Sequence, residues 1–302
     1  MEIIGWQATS SGDLAKMLNM PLEPELTAAY WTLSGCFPGV EPEYSRFDFE
    51  ERVKAASRAG FKGLGIWHAD LDHILKKRTL KEMKGILSDN GIMYLDVEFL
   101  TDWFLDGERK KKSDVQKQKL LAAAEVLGAT QIKVGDFYNQ KCPMPRLIES
   151  FAALCSEAAE HGTRVAFEPM AVSMVHTLDE SLEMVRGSGA TNAGIILDIW
   201  HMVNLDIPLA DIARFPAQYL AGAEVNDGVF TSEGGIRKPL VDRRFCGKGE
   251  FDIQSFVRAV CQSGYSGPWG IEVFSHDLLE PPLEQITRRA FETTFREFSK
   301  GD

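Results

Sequence analysis

Eight short apolar runs alternate with longer amphipathic stretches along this chain of 302 residues. The runs are about five to seven residues long and rich in Ile, Val, Leu and aromatic residues, as buried strands are. The intervening stretches carry apolar residues at helical spacing, for example Leu147, Phe151 and Leu154. Strands that alternate with helices indicate parallel βαβ units. The predicted strands are Ala28–Leu33, Gly63–Trp67, Met93–Phe99, Thr130–Val134, Arg164–Glu168, Gly194–Ile199, Ala221–Val225 and Trp269–Phe274.

The spacing of these runs predicts an α/β fold of one particular kind. Their first residues follow one another at intervals of 27 to 37, with a final gap of 48. Eight βα units in roughly 250 residues are typical of a (β/α)8 TIM barrel. A doubly wound sheet is the alternative, but neither GxGxxG nor GxxxxGK[ST] occurs in the sequence. We therefore predict a single TIM-barrel domain over residues 1–302, with an N-terminal extension over 1–27 and the barrel over 28–298.

Composition excludes several classes of partner. Asp and Glu outnumber Lys and Arg by 44 to 33, which gives a formal charge of −11. Such a chain should repel nucleic acid and anionic membranes. No apolar stretch is long enough for a membrane span, and the first residues do not have the pattern of a signal peptide. Five cysteines without a CxxC pair fit a reducing compartment, so we expect a cytoplasmic protein.

Carboxylates end the last four predicted strands. In a TIM barrel the carboxyl ends of the strands carry the active site. The four acids are Glu168, Asp198, Glu224 and Glu272. The residues two positions earlier are small or apolar, so each acid shares the inward face of its strand. A buried charge is costly unless it is paired or binds a metal.

Four converging acids predict a site for one divalent cation. Carboxylate oxygens are hard ligands, which favours Mn²⁺ or Mg²⁺, with Co²⁺ or Zn²⁺ also possible. The cation would leave two negative charges. Either one acid holds a proton, or a cationic side chain such as Lys133, Arg243 or Arg244 approaches.

Further polar and aromatic residues, including Trp31, end the predicted strands or lie in the loops beyond them. Each has a structural alternative, such as a salt bridge, core packing or a hydrogen bond within its loop. Asp227 has outward parity and is expected to pin its own loop, which runs over Asp227–Phe251 and is predicted to contain no helix. The candidate substrate contacts are His201, His68, Glu98, Lys133, His176, Arg243, Arg244, Trp31 and Asn226.

Five short motifs, in this order on the last four strands, resemble those of the xylose isomerase-like TIM-barrel superfamily. They lie at Phe167–Pro169, Leu197–His201, Glu224–Asp227, Arg243–Gly249 and Ile271–Val273. The superfamily comprises sugar and sugar-phosphate isomerases and epimerases, including tagatose epimerases, hydroxypyruvate isomerase, inosose isomerases and dehydratases, and endonuclease IV. The resemblance covers about residues 28–298.

The resemblance implies roles for individual residues. Glu168, Asp198, Glu224 and Glu272 would bind one divalent metal, and Glu168 and Glu272 would also serve as the acid/base pair. His201, with Arg243 or Arg244, would contact the substrate. The sequence departs from the family at Glu224, where the ligand is commonly histidine. An all-oxygen set favours Mn²⁺ or Mg²⁺ over Zn²⁺ and argues against nuclease chemistry.

These residues favour a metal-dependent isomerase or epimerase that acts on a small keto-sugar or keto-polyol. A dehydratase of the inosose or dehydroshikimate type is the alternative, and a non-catalytic sugar-binding relative is a third hypothesis. The glycines of Gly247–Gly249 are too short a signal to predict a phosphorylated substrate. A homo-oligomer is possible if Trp103 and Phe104 are exposed, or through the N-terminal extension.

Overall fold

The computed structural model describes residues 23–233, 236–239 and 241–299. Eight parallel strands close into a barrel in the order β1-β2-β3-β4-β5-β6-β7-β10, which confirms the predicted (β/α)8 TIM barrel. An antiparallel hairpin, β8–β9, lies outside it. The strands are β1 Leu26–Ala28, β2 Gly63–Trp67, β3 Tyr94–Leu100, β4 Gln131–Val134, β5 Arg164–Phe167, β6 Ala193–Asp198, β7 Leu220–Val225, β8 Phe230–Glu233, β9 Ile236–Pro239 and β10 Trp269–Ile271.

Helices connect the strands, and their apolar faces pack against the barrel in one large core. Local signals start several of them: Thr79 and Thr177 each form a capping box with the glutamate three residues later. The described helices are Tyr30–Ser34, Phe49–Ala59, His68–Ile74, Leu80–Asp89, Gly107–Leu127, Met144–Glu160, Leu178–Gly187, Ile199–Asn204, Leu209–Arg214, Ile253–Gln262 and Leu283–Ser299, with 3₁₀ turns at Ala217–Tyr219 and His276–Leu278.

The first strand differs from the prediction. It covers Leu26–Ala28 instead of Ala28–Leu33, and the apolar residues that follow form the short helix Tyr30–Ser34. All five residues of this helix are buried, and periodicity cannot distinguish a buried helix from a buried strand in so short a run. The barrel therefore starts before residue 28, while most of the predicted extension lies outside the described residues.

Trp103 and Phe104 are buried, with 4% and 3% of their surface exposed, so the prediction that they form an exposed contact is wrong. The Trp103 ring packs against Phe151 with their centroids 5.5 Å apart. Trp103 therefore packs on the helix that ends at Glu160 instead of facing solvent. A homo-oligomer stays a prediction without support from this pair.

The loop Asp227–Phe251 contains the β8–β9 hairpin and no helix among its described residues. Asp227 holds the two ends of this loop together. Its carboxylate accepts hydrogen bonds from the backbone N–H groups of Gly228, Gly249 and Phe251 at 2.7–3.0 Å. The prediction that Asp227 pins its own loop is therefore confirmed.

Glycines on the inner face of the barrel leave room for acidic side chains. A Cβ at Gly270 would lie 2.7 Å from Glu224 Cγ. A Cβ at Gly65 would collide with the Glu98 carboxylate and lie 2.7 Å from the backbone nitrogen of Tyr30. Tyr30 N also donates a hydrogen bond to Glu98 Oε1 at 3.1 Å. The close contact between a Cβ at position 65 and Tyr30 N could therefore be relieved only if the backbone moved.

We expect Gly65→Ala to lower the free energy of unfolding by about 1–3 kcal/mol, because the new methyl group overpacks the barrel interior. Gly85→Ala is the control: Gly85 lies in an exposed helix with open space around it, so alanine should add about 0.5–1 kcal/mol. Urea denaturation of both variants measures the difference. Equal effects of the two substitutions would contradict the role given to Gly65.

Candidate active site

Four acids from successive barrel strands converge at the carboxyl end of the barrel. Asp198 and Glu224 lie on β6 and β7 in register, and Glu168 and Glu272 directly follow β5 and β10. One carboxylate oxygen from each lies within 4.8 Å of those of the other three. All four side chains are buried, with at most 7% of each residue exposed. The structure thus brings together the four acids that the sequence singled out.

Arg243 pairs with two of these acids. Its Nη1 donates to Asp198 Oδ2 and to Glu272 Oε2, each at 2.6 Å. The guanidinium lies 4.2 Å from the centre of the Phe274 ring, and the residue is 2% exposed. Its Nε is buried without a hydrogen-bond partner, so the two ion pairs do not satisfy every donor of the guanidinium.

Lys133 pairs with the other side of the cluster. Its Nζ bonds to Glu224 Oε1 and lies 3.4 Å from Glu98 Oε2. The charge of the four acids could be balanced by a proton on one acid or by the approach of cationic side chains. The structure supports the second, because both Lys133 and Arg243 contact the acids. Arg244 does not take part.

Burial and neighbouring charges shift these carboxyl groups in different directions. Burial raises the pKa of Glu98 to about 7, against the opposing effect of Lys133. Burial also raises the pKa of Glu224 and Glu272, although Lys133 and Arg243 act in the other direction. At Glu168, burial is outweighed by the hydrogen bond and charge of His201, which lower the pKa to about 2.

The residues present fit a divalent cation. Glu224 Oε2 is buried without a hydrogen-bond partner, although buried carboxylate oxygens are normally paired. Together with oxygens of Glu168, Asp198 and Glu272 it would offer a hard, all-oxygen ligand set. His201 offers a nitrogen as an alternative, because its ring lies within the same distance limit of Glu168 and Asp198.

A cavity of about 340 Å³ opens above the cluster. Glu168, Glu272, Arg243 and His201 line it, and Glu98 joins them from β3. Most of the remaining wall is apolar. The other lining residues are Trp31, Pro38, Gly39, Glu43, Trp67, Phe99, Phe137, Met170, Val172 and Phe274.

The sequence reasoning identified Trp31 but missed the rest of this wall. Trp67, Phe99 and Phe274 are the last residues of their predicted strands, but Trp31 was the one aromatic residue at a strand end taken as a candidate contact. An aromatic residue at a strand end was the available signal. Glu43 and Phe137 lie in loops, and no pattern in the sequence singles them out.

Three predicted contacts lie around the cavity without lining it. His68 is half-buried behind Trp67, with ring centroids 4.5 Å apart, and burial lowers its pKa. Lys133 lies below the floor, at the barrel centre. Asn226 donates to Asp198 Oδ1 at 2.8 Å and so orients that carboxylate.

Two predicted substrate contacts, His176 and Arg244, lie elsewhere. His176 is exposed, and its Nδ1 lies 3.0 Å from the carbonyl oxygen of Met174 in the same loop. Arg244 is exposed, and its backbone bridges to Asp227. His176 follows a site motif in the sequence and Arg244 lies within one, but neither side chain lines the cavity. For both residues the structure supports the alternative of a contact within the loops.

The fold and this acidic cavity define a TIM-barrel protein whose polar side chains converge at the carboxyl end of the strands. Residues 53–297 match the family model of xylose isomerase-like TIM barrels, and the chain belongs to that family. The resemblance drawn from the motifs is thereby confirmed.

The chain is similar to enzymes of several activities. It is 26% identical over 238 residues to a 3-dehydroshikimate dehydratase of Pseudomonas aeruginosa, covering 77% of this chain and 37% of the relative. It is 23% identical to an inosose isomerase of Halalkalibacterium halodurans, covering 76% and 84%. The chain thus spans little more than a third of the length of the dehydratase.

A solved structure shares the fold. The structure of IOLI protein with a bound zinc atom superposes with a TM-score of 0.79 at 17% identity, covering 92% of this chain and 99% of that one. In the part of the chain that the structure describes, no helix has the length and apolar character needed to cross a membrane. All five cysteines are free thiols.

We expect Lys133→Met to lower the free energy of unfolding by about 3–5 kcal/mol, because it leaves Glu98 and Glu224 buried without their counter-ion. Lys119→Met removes an exposed ion pair with Asp72 and should cost about 0–1 kcal/mol. Urea denaturation of both variants at neutral pH tests this contrast. A loss for Lys133→Met no larger than for Lys119→Met would mean that the buried pairing contributes nothing.

We further expect Mn²⁺ to raise the melting temperature of chelator-treated protein, because binding to the folded state alone stabilises it. Asp198→Asn should abolish the Mn²⁺-dependent shift, whereas Asp89→Asn, at an exposed helix end, should retain it. Thermal unfolding with and without Mn²⁺ measures the shift for each variant against its own metal-free value. An equal shift in Asp198→Asn would count against the four-acid site.

Proposed function

We propose that the chain is a divalent-metal-dependent isomerase or epimerase that acts on a small keto-sugar or keto-polyol. The observation that carries this proposal is the convergence of four buried acids beneath a cavity that two of them, Glu168 and Glu272, also line. The activity of the inosose isomerase relative supports it. The reaction would begin with removal of a proton from the carbon next to a carbonyl group.

Glu168, Asp198, Glu224 and Glu272 would hold the cation, for which Mn²⁺ or Mg²⁺ is favoured. When bound, the cation would polarise the substrate carbonyl as a Lewis acid. The zinc atom in the IOLI structure supports a divalent ion at such a site without fixing which ion this chain takes.

The acid/base roles fall to the two acids of the four-acid cluster that also line the cavity. Glu168 and Glu272 reach it from β5 and β10, which are separated by β6 and β7 in the barrel. Two carboxyl groups on different sides of a bound substrate can remove a proton at one carbon and return it on the other face or at the neighbouring carbon. Arg243 holds Glu272 in place, and His201 lies 3.4 Å from Glu168 Oε1.

The apolar wall would exclude water from the reacting carbon. Trp31, Trp67 and Phe99 are each less than 10% exposed although they line the cavity. Low solvent access strengthens the electrostatic effect of the charged floor on the substrate.

A dehydratase on the same site is the second candidate. Two relatives of the chain are 3-dehydroshikimate dehydratases, and proton removal next to a carbonyl is shared by both reactions. In the dehydratase the intermediate then expels hydroxide. A small carbohydrate as the partner, a cytoplasmic location and a homo-oligomer are further parts of this proposal.

We expect Glu272→Gln in the Mn²⁺-loaded protein to reduce exchange of substrate protons for solvent deuterium by about 10²–10⁴-fold, because an acid/base group is lost. Glu292→Gln, at an exposed helix position, is the control. Mass spectrometry of an inosose and a ketose panel in D₂O measures both exchange and product. Full exchange in Glu272→Gln would exclude its acid/base role, and loss of water from the product would favour the dehydratase.

A further inference from the structure

The polar part of the cavity lining is predominantly acidic. Four carboxylates line it, at Glu43, Glu98, Glu168 and Glu272, against one guanidinium at Arg243. Among the described lining residues Arg243 is the one arginine, and there is no lysine. Its charge already faces Asp198 and Glu272 at 2.6 Å. Its Nη2 can still donate a hydrogen bond. The lining also includes His201, whose Nε2 faces Glu168 Oε1 at 3.4 Å, so each positive group of the lining already faces a carboxylate.

Other cations near the cavity are also matched by carboxylates. Lys133 is 1% exposed and is held below the floor by Glu224 and Glu98. Arg109, whose guanidinium lies 4.7 Å from the Tyr138 ring beside the mouth, makes two hydrogen bonds to Asp102 at 2.6 and 2.9 Å.

A bound divalent cation does not make the floor positive. The four clustered acids carry four negative charges against four positive charges from Lys133, Arg243 and that cation, and the lining adds one carboxylate at Glu98 against one imidazole at His201. Glu43 adds a carboxylate at the mouth, where its Oε1 accepts from the backbone N–H of Gly39 at 2.6 Å. An anion that enters this cavity would lose its hydration without gaining a matched positive charge.

The opposite wall suits the apolar face of a ring. The Trp31 and Trp67 rings lie with centroids 4.9 Å apart at 53°, and Phe99 stacks on Phe137 at 5.0 Å. Such surfaces bury the C–H face of a cyclic polyol while its hydroxyl groups reach polar atoms on the floor. Carboxylates such as Glu43 and Glu98 accept hydrogen bonds from hydroxyl groups.

We infer that the cavity selects an uncharged, ring-shaped polyhydroxy ketone and discriminates against substrates that carry a carboxylate or phosphate group. This inference rests on the proposed function and narrows its substrate class. It separates the chain from the dehydratase relatives, because 3-dehydroshikimate is a carboxylate. Discrimination of this kind arises as much from unfavourable pairing with the wrong ligand as from contacts with the right one.

The test uses ligands that differ in charge but hardly in shape. Isothermal titration of the Mn²⁺-loaded protein at neutral pH compares 3-dehydroshikimate with its methyl ester, and an inosose serves as the neutral ring. We expect the ester and the inosose each to bind at least tenfold more tightly than the free acid. An acid that binds as tightly as its ester, or more tightly, overturns the inference.

Variants at the mouth test the electrostatic cause. Glu43→Gln keeps the acceptor for Gly39 but removes the charge, so it should tighten binding of the acid severalfold and change binding of the ester less than twofold. Glu280→Gln removes an exposed charge outside the lining and is the control for the overall charge of the protein. Equal changes for acid and ester in Glu43→Gln would contradict the electrostatic cause.

The two proposals fail in different experiments. Absence of deuterium exchange with every ligand would refute the proposed function, while the affinity ratio of acid to ester still decides the charge selectivity. Turnover of the acid with a kcat/KM equal to that of the inosose would overturn the selectivity and leave the proposed chemistry in place.

Discussion

The pairing of buried charges at the barrel centre is the interaction on which the site depends. Five carboxylates are buried there. Two cations, Arg243 and Lys133, each pair with two of them, and the fifth, Glu168, lies 3.4 Å from His201. Removing either cation would leave acids without a counter-ion in a region of low dielectric. The arrangement also fixes geometry, because Arg243 Nη1 can satisfy Asp198 and Glu272 together only when both carboxylates approach the same nitrogen.

This pairing requires an unusual barrel interior. Bulky branched side chains normally fill a TIM barrel in layers, but here Gly65, Gly222, Gly270 and Ala166 occupy the inner face. The space that they leave is taken by long charged side chains such as Glu98 and Glu224. Hydrophobic packing lies mainly between the barrel and its helices. The hydrophobic core therefore lies mainly outside the barrel sheet, and the charged side chains of the candidate site lie inside it.

The barrel and the convergence of the four acids could both be predicted from the sequence, for physical reasons. The barrel followed from the spacing of strands, and the convergence of the four acids followed from strand parity, because parallel strands end at one edge. Trp31 was assigned to a strand end, although it lies in a short buried helix, since periodicity does not resolve so short a run. His176 and Arg244 were misplaced because loop residues have no parity. Glu43 and Phe137 are brought to the cavity by loop conformation alone, which has no signature in the sequence.

The backbone contacts of Arg243 have a consequence for which parts of its loop can change in sequence. Arg243 lies in the loop Asp227–Phe251, which also contains the β8–β9 hairpin. Its own backbone is bonded to residues that follow barrel strands: its N–H donates to the Phe274 carbonyl, and the next residue bridges to Asp227. The backbone of Arg243 is thus held by contacts outside strands β8 and β9. Substitutions at the exposed positions of these two strands would be tolerated without disturbing the charge balance, so the strands can diversify while the acidic cluster is retained.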